Sequence, residues 1–341
     1  MRFNFISATA ALAFASAASL CSADEGLRVD PDFAGKKAAT SISGALCPGE
    51  DRAMQWCVSV NDEKRNIQYF RIDNGTIIPG GRIRILAKAT LKGDDENGCA
   101  LDQADMEAAA YDGGYVYITG SHGVSRKCGK VQPSRFQLVR FPVSPASGKP
   151  FFDLKLGGKP PKTVAEGVEH TDKLRRLIRD TAPLSAFAEM RLDENGANIE
   201  GIGARGGQLF FGFRTPVLES GAIVLEVAAD ALFGATPPAP VAHKLHLGVG
   251  YGIRDMARVG DTFMILAGAS GGADLAPTIW AWVPGSTPIL QTVLRVNKGQ
   301  KAETLLLVNI NKTSPIPAIV FFDDEQNGNP IAIELPAIRP Q

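Results

Sequence analysis

The chain has 341 residues, with 36 basic and 36 acidic side chains, 45% hydrophobic residues and 7% aromatic ones. That balance argues against a protein that neutralises nucleic-acid phosphates or lays a polybasic patch on a membrane. No linker or charge block divides the chain, so a single domain is expected once the leader is set aside.

Residues 1–23 read as a secretory signal: Arg2 gives a positive start, Ala8 to Leu20 is apolar, and Cys21-Ser22-Ala23 offers small residues for cleavage. Lipid attachment at Cys21 is the alternative, although Leu20 stands where a small residue is expected. Loss of Arg2 leaves 35 basic against 36 acidic residues. No later apolar run approaches the roughly 20 residues of a membrane-spanning helix. The expected product is a periplasmic or secreted monomer spanning residues 24–341, with no transmembrane segment.

Leu27-Arg28-Val29-Asp30 reads as a short strand that could pair with the last repeat and so close a ring. Five stretches then share one pattern, an inner strand, a tight turn and a second, apolar strand. They open at Ser43-Gly44-Ala45-Leu46, Asp105-Met106-Glu107-Ala108, Asn198-Ile199-Glu200-Gly201, Ile253-Arg254-Asp255-Met256 and Lys301-Ala302-Glu303-Thr304. Asp112-Gly113-Gly114, Arg205-Gly206-Gly207 and Val259-Gly260-Asp261 are hairpin turns of the kind that need positive φ. Third strands follow, such as Gln68 to Ile72 and Thr278 to Trp282. More polar fourth strands are available at Arg82–Leu86, Phe151–Leu156, Val241–Leu247 and Leu290–Val296. Repeats of this length predict an all-β propeller of about five four-stranded blades, with six as the alternative count and a β-sandwich as the alternative fold. The long interval between Glu107 and Glu200 implies an insertion, residues 157–197, on the channel-mouth face. Within it Thr171 can cap a helix from Asp172 to Asp180 that buries Leu174, Leu177 and Ile178 and turns Lys173, Arg175, Arg176 and Arg179 largely to solvent.

Four cysteines remain after the leader, an even number in a chain sent to an oxidising compartment. Cys47 and Cys57 flank a hairpin turn near Arg52, and Cys99 and Cys128 fall on the mouth face of one blade, so two disulfides are expected. His122, His170, His243 and His246 do not fall at zinc-site spacing.

In a propeller the chain enters each innermost strand and leaves each second strand on the same face. Glu107, Glu200, Asp255 and Glu303 are therefore expected to ring the channel mouth, joined by Asp62 and Glu63, Ser121 and His122, Arg214, Ser270, and Asp323 with Asp324. Grouped carboxylates must take up a proton or a cation. A ring of oxygens suits calcium, with these four acids as ligands. His122, Glu200 and Asp255 are the candidates for acid/base work, and Ser121, Arg214 and Arg254 for ligand contacts. Ser121 lies in no nucleophile elbow. The bland alternative is that the acids pair with Arg205, Arg214 or Arg254 and simply fasten neighbouring blades.

The segments Asp105-Met106-Glu107-Ala108-Ala109, Gly120-Ser121-His122, Asn198-Ile199-Glu200-Gly201-Ile202 and Gly252-Ile253-Arg254-Asp255 resemble a bacterial family known as domain of unknown function 3616. More distantly they resemble the phytase-like esterase propellers. The likeness to the nearer family spans about residues 40 to 335 and implies a fold and export. The remoter one implies calcium and ester or phosphate-ester hydrolysis, and the first repeat departs from the pattern with Ser43 in place of an acid. The functional expectation is a propeller whose acidic mouth binds a small anionic ligand, with or without calcium, and hydrolyses an ester, lactone or phosphate ester. A non-catalytic propeller that meets an unknown protein is the alternative.

Overall fold

A computed structural model describes residues 26–49, 56–87, 104–126, 132–150, 161–219, 221–308 and 315–338. The expected signal segment, the Cys99–Cys128 bridge and the 151–156 strand lie outside these residues. Within them, twenty strands form five sheets. Blade one holds β1 (Arg28–Val29), β2 (Ile42–Leu46), β3 (Cys57–Asn61), β4 (Asn66–Asp73) and β5 (Thr76–Arg84). Blade two holds β6 (Met106–Asp112), β7 (Tyr115–Gly120), β8 (Leu138–Pro142) and β9 (Glu169–Thr171). Blade three runs β10 (Asn198–Arg205), β11 (Gln208–Thr215), β12 (Gly221–Ala228) and β13 (Val241–His246), and blade four β14 (Tyr251–Val259), β15 (Thr262–Ala269), β16 (Thr278–Trp282) and β17 (Ile289–Val293). Blade five has three strands, β18 (Ala302–Leu307), β19 (Ile316–Phe322) and β20 (Ile331–Leu335). Among the described residues the α-helices are α1 (Lys173–Asp180) and α2 (Ala229–Phe233), and none is long and apolar enough to cross a membrane.

The hairpins follow from local chemistry. Gly113 and Gly114 have φ of 57° and 82°, and Gly206 and Gly207 have 58° and 79°. Both central residues are left-handed, as a two-residue turn between twisted strands requires. The second strands are apolar on both faces because each blade packs against two neighbours. Five separate clusters result. Val58, Val116 and Phe141 lie between blades one and two. Leu138, Phe211 and Leu225 lie between two and three. Phe210, Phe263 and Trp282 fill the next gap, Met264, Leu305 and Phe322 the one after, and Ile42, Phe70 and Phe321 close the circle between blades five and one. A sandwich has one core between two sheets; five cores in rotation make this a five-bladed propeller.

Three expectations are corrected by the strand pairing and packing. The first strand does not complete blade five: β1 pairs parallel with β5, Arg28 opposite Thr76 and Val29 opposite Ile77. The open edge of β5 supplies the partner, while Leu27 N donates to Pro330 O at 2.7 Å and only touches the last blade. Blade five is held to the N-terminal segment by side chains instead. Asn327 Nδ2 donates to Asp32 Oδ1 at 2.8 Å, and Phe33 N donates to Asn327 Oδ1 at 3.0 Å. The outer strand of blade two is β9, from within the insertion, where it pairs with β8. The third correction concerns α1. Leu174, Leu177 and Ile178 are buried as expected, and Thr171 Oγ1 accepts from Lys173 N at 3.2 Å, but Arg175 is buried too. Its guanidinium donates to His122 O at 2.8 Å and to Ala188 O at 2.6 Å, which anchors the helix to the loop after β7. Cys47 and Cys57 form the expected disulfide between the end of β2 and the start of β3.

Candidate functional site

The five inner strands β2, β6, β10, β14 and β18 are the sheet edges around the channel, and each has a break in pairing one turn from its start. A β-bulge leaves one residue without an opposite number and re-aims its side chain. The skipped residues are Ser43, Glu107, Glu200, Arg254 and Glu303. In blade four, therefore, the ring position belongs to Arg254 and not to Asp255. Asp255 stays paired with Leu266 and points sideways, where Oδ2 accepts from Leu305 N at 2.8 Å and Oδ1 from Met256 N at 2.7 Å. Burial pushes Asp255 up to about 8 against those two N–H groups. It fastens blade four to blade five.

Above the ring lies a chamber of about 250 Å³ lined by Asp62, Asp105, Glu107, Glu200, Glu303 and Asp323 together with Arg126, Arg135 and Arg214. It adjoins an outer cavity of about 520 Å³ that adds Arg254, Lys301, Asp193 and Ser270. Cations divide unevenly among the acids. Glu200 Oε1 accepts from Arg214 Nη1 at 2.8 Å and from Asn198 Nδ2 at 3.2 Å. Arg254 Nη1 lies 2.9 Å from both Glu200 Oε2 and Glu303 Oε1, while its Nη2 donates to Ala269 O at 3.1 Å. Asp105 pairs with Arg135 at 2.8 Å. Among the described residues no cation pairs with Glu107.

Protonation follows this division. Burial works against ionised Glu200, but Arg214 and Arg254 outweigh it and hold the carboxyl below its ordinary value. Burial pushes Glu303 up to about 8, with Arg254 opposing and Glu200 adding to the rise. Asp62 is raised to about 7 by burial and by Asp105, Glu63 and Asp323, against a hydrogen bond from Ser41. Glu107 stands well above the usual carboxylate range, through burial first and then through Asp105, Glu200, Asp62 and Glu303. One carboxylate is thus held ionised between two guanidiniums while Glu107 and Glu303 are pushed toward their protonated forms. No group of three or more His, Cys, Asp or Glu among the described residues could hold a metal ion as arranged.

The fold brings Glu107, Glu200, Glu303, Arg214 and Arg254 together, sets Ser121 behind the chamber wall in a side-chain hydrogen bond with Asp105, and turns His122 away. Both are fully buried and line neither cavity. His122 has φ of 51°, which turns its ring inward beside Phe136, 6.1 Å between centroids. Burial lowers its pKa to about 3, Arg175 adding to that and a main-chain bond with Gln137 opposing. The imidazole is neutral near pH 7 and a poor base. Ser121 O instead accepts from Ile199 N at 2.7 Å, tying blade two to blade three. Asp105, Arg126, Arg135 and Lys301 were not singled out as site residues by the sequence. Asp105 shares the Asp-x-Glu start of the second repeat, the signal that could have found it, whereas Arg135 sits in a 3₁₀ turn, Pro133–Arg135, with no periodic signature.

Residues 59–324 match a family described as "Protein of unknown function (DUF3616)". The chain belongs to this family. The match takes in four of the five bulged positions, Glu107 to Glu303, and leaves out Ser43. No curated protein matches the sequence. Among solved structures, a GH43 beta-1,3-galactosidase aligns at 12% identity and a TM-score of 0.45 over 87% of this chain and 56% of that one, so the DUF3616 chain spans just over half its length. An exo-beta-1,3-galactanase from Phanerochaete chrysosporium aligns at 7% identity and 0.42, over 86% and 64%. The WD40 propeller domain of Doa1 gives 11% and 0.30, over 84% and 63%. Likeness at this level concerns strand arrangement and carries no activity with it.

Proposed function

We propose that the channel mouth is a hydrolytic site for a small anionic ester, lactone or phosphate ester. The observation that carries this reading is the contact of two glutamates through one guanidinium. Glu200 is held ionised while Glu303, on the same Arg254 Nη1, is pushed up to about 8. Neighbouring carboxyls driven to opposite protonation states are the usual equipment for moving a proton in two directions at neutral pH. In the reaction proposed, Glu303 gives its proton to the leaving oxygen as that bond breaks, Asp62, at about 7 in the same chamber, takes one from the attacking water as the new bond forms, and Glu200 holds Arg214 and Arg254 in place. Arg126, Arg214 and Lys301 surround the outer cavity and suit the anionic end of the ligand. Export to an oxidising compartment is supported by the Cys47–Cys57 bridge.

A panel of small esters, lactones and phosphate esters tests the reading. Glu303→Gln should reduce kcat by about 10²-fold or more with the fold retained, the usual loss for a general acid. It should also remove the alkaline limb of the pH–rate profile. If no member of the panel is hydrolysed and none gives a heat of binding at the mouth, the reading fails and the interaction module takes its place.

A further inference from the structure

We propose that Arg254 is the resident cation of the bulged ring and stands where a divalent ion would have to sit, so that the mouth does not take calcium. This goes beyond the hydrolytic reading and stands or falls apart from it.

Blades one, two, three and five present an oxygen-bearing side chain at the skipped position, Ser43, Glu107, Glu200 and Glu303. A fifth oxygen-bearing side chain, from blade four, would complete a donor set suited to a hard ion, which takes six to eight oxygens, up to two from each carboxylate. Blade four supplies a guanidinium instead, and it is built in firmly. The Arg254 side chain is 4% exposed. Its Nη1 reaches the glutamates of both flanking blades, Glu200 on blade three and Glu303 on blade five, at 2.9 Å each. Its Nη2 is taken up by Ala269 O. The two oxygens a metal would most need are therefore already facing a positive charge, and Glu200 Oε1 is also occupied by Arg214 and Asn198. A dication among these acids would lie within a few ångströms of one or two guanidiniums and would have to displace them before it could coordinate. The carboxylate ring and its cation are both encoded in the chain, and the calcium expected from an all-acid ring does not fit it.

The test uses the full chain and calcium alone. Titration calorimetry and thermal unfolding with and without calcium would be run on the wild type, Arg254→Lys and Arg254→Gln. The wild type and Arg254→Lys should give no calcium heat at the mouth and an unchanged Tm. Arg254→Gln should gain calcium binding and a calcium-dependent rise in Tm, and adding Glu303→Gln should abolish both. Should Arg254→Gln fold poorly in metal-free buffer, calcium should restore its circular dichroism. Calcium binding by the wild type that Glu200→Gln removes would overturn the proposal. So would an Arg254→Gln variant that calcium neither binds nor rescues.

Discussion

The raised acids of the mouth, Asp62, Asp105, Glu107, Glu303 and Asp323, give the protein a stability that depends on pH in a defined direction. Asp62 at about 7 and Glu303 at about 8 lie above their ordinary values of 3.8 and 4.5, and Glu107 is raised as well. The folded chain binds protons there that the unfolded chain gives up. Their contribution is complete below about pH 4 and is lost as the pH rises through 7 to 8. Glu200 acts oppositely, but its window lies below 4.5, where falling pH removes its contribution. Each tenfold difference in proton affinity between the folded and unfolded chain is worth about 1.4 kcal/mol. Urea unfolding should therefore show greatest stability near pH 4 to 4.5 and a loss of a few kcal/mol by about pH 8.5. Glu303→Gln should flatten that slope. A curve rising across the same interval would contradict the protonation states on which the proposed chemistry depends. At this scale the sequence was legible only in part. It placed Glu107, Glu200 and Glu303 at the mouth, but Ile253-Arg254-Asp255 aligns on its acid when read as letters and on its arginine once the bulge is counted. A one-residue slip reverses which side chain faces the channel.

The inner strands are packed tightly enough that single atoms matter. A Cβ at Gly44 on β2 would lie 2.8 Å from Ala108 Cα and 2.9 Å from Glu107 O on β6, both main-chain atoms that can yield only if the blades part. Gly44→Ala should cost about 1–3 kcal/mol, the usual penalty of overpacking, measured by denaturant unfolding. It should also disturb Glu107 before it reaches Glu303, which a change in the pH slope would report. Strand identity was readable here because alternating and doubly apolar runs declare themselves. The fate of α1 was not. Arg175 follows Leu174 and precedes Leu177 and Ile178, so it lies at the border of the apolar face of a two-turn helix, where the wheel does not decide between solvent and interior. The carbonyls of His122 and Ala188 decide it.

The blade count was legible across the whole chain because repetition survives divergence in individual residues. The manner of closure was not, because a short strand such as Arg28–Val29 can add to any open edge, and only packing shows that it chose β5. The joint between blades five and one rests on the cluster around Phe70 and Phe321 and on the two bonds of Asn327. Asn327→Gly removes both bonds without forcing a Cβ into φ of 55°. It should cost about 1–3 kcal/mol, as for polar groups left unsatisfied. Hydrogen exchange should quicken in blades five and one while blade three keeps its protection. Uniform acceleration around the ring would mean that the joint is no weaker than the rest.

That joint also sets an order of events in the life of the chain. Phe33 and Asn327 are 294 residues apart in sequence, yet the bond between them helps close the circle. The earlier segment waits for the later one to be made before it finds its partner. Until then blade one leaves open the side of Phe70 and Ile42 that Phe321 comes to cover. Before the circle closes the chain is an open arc with a sticky lip, and it should become resistant to proteases in one late step.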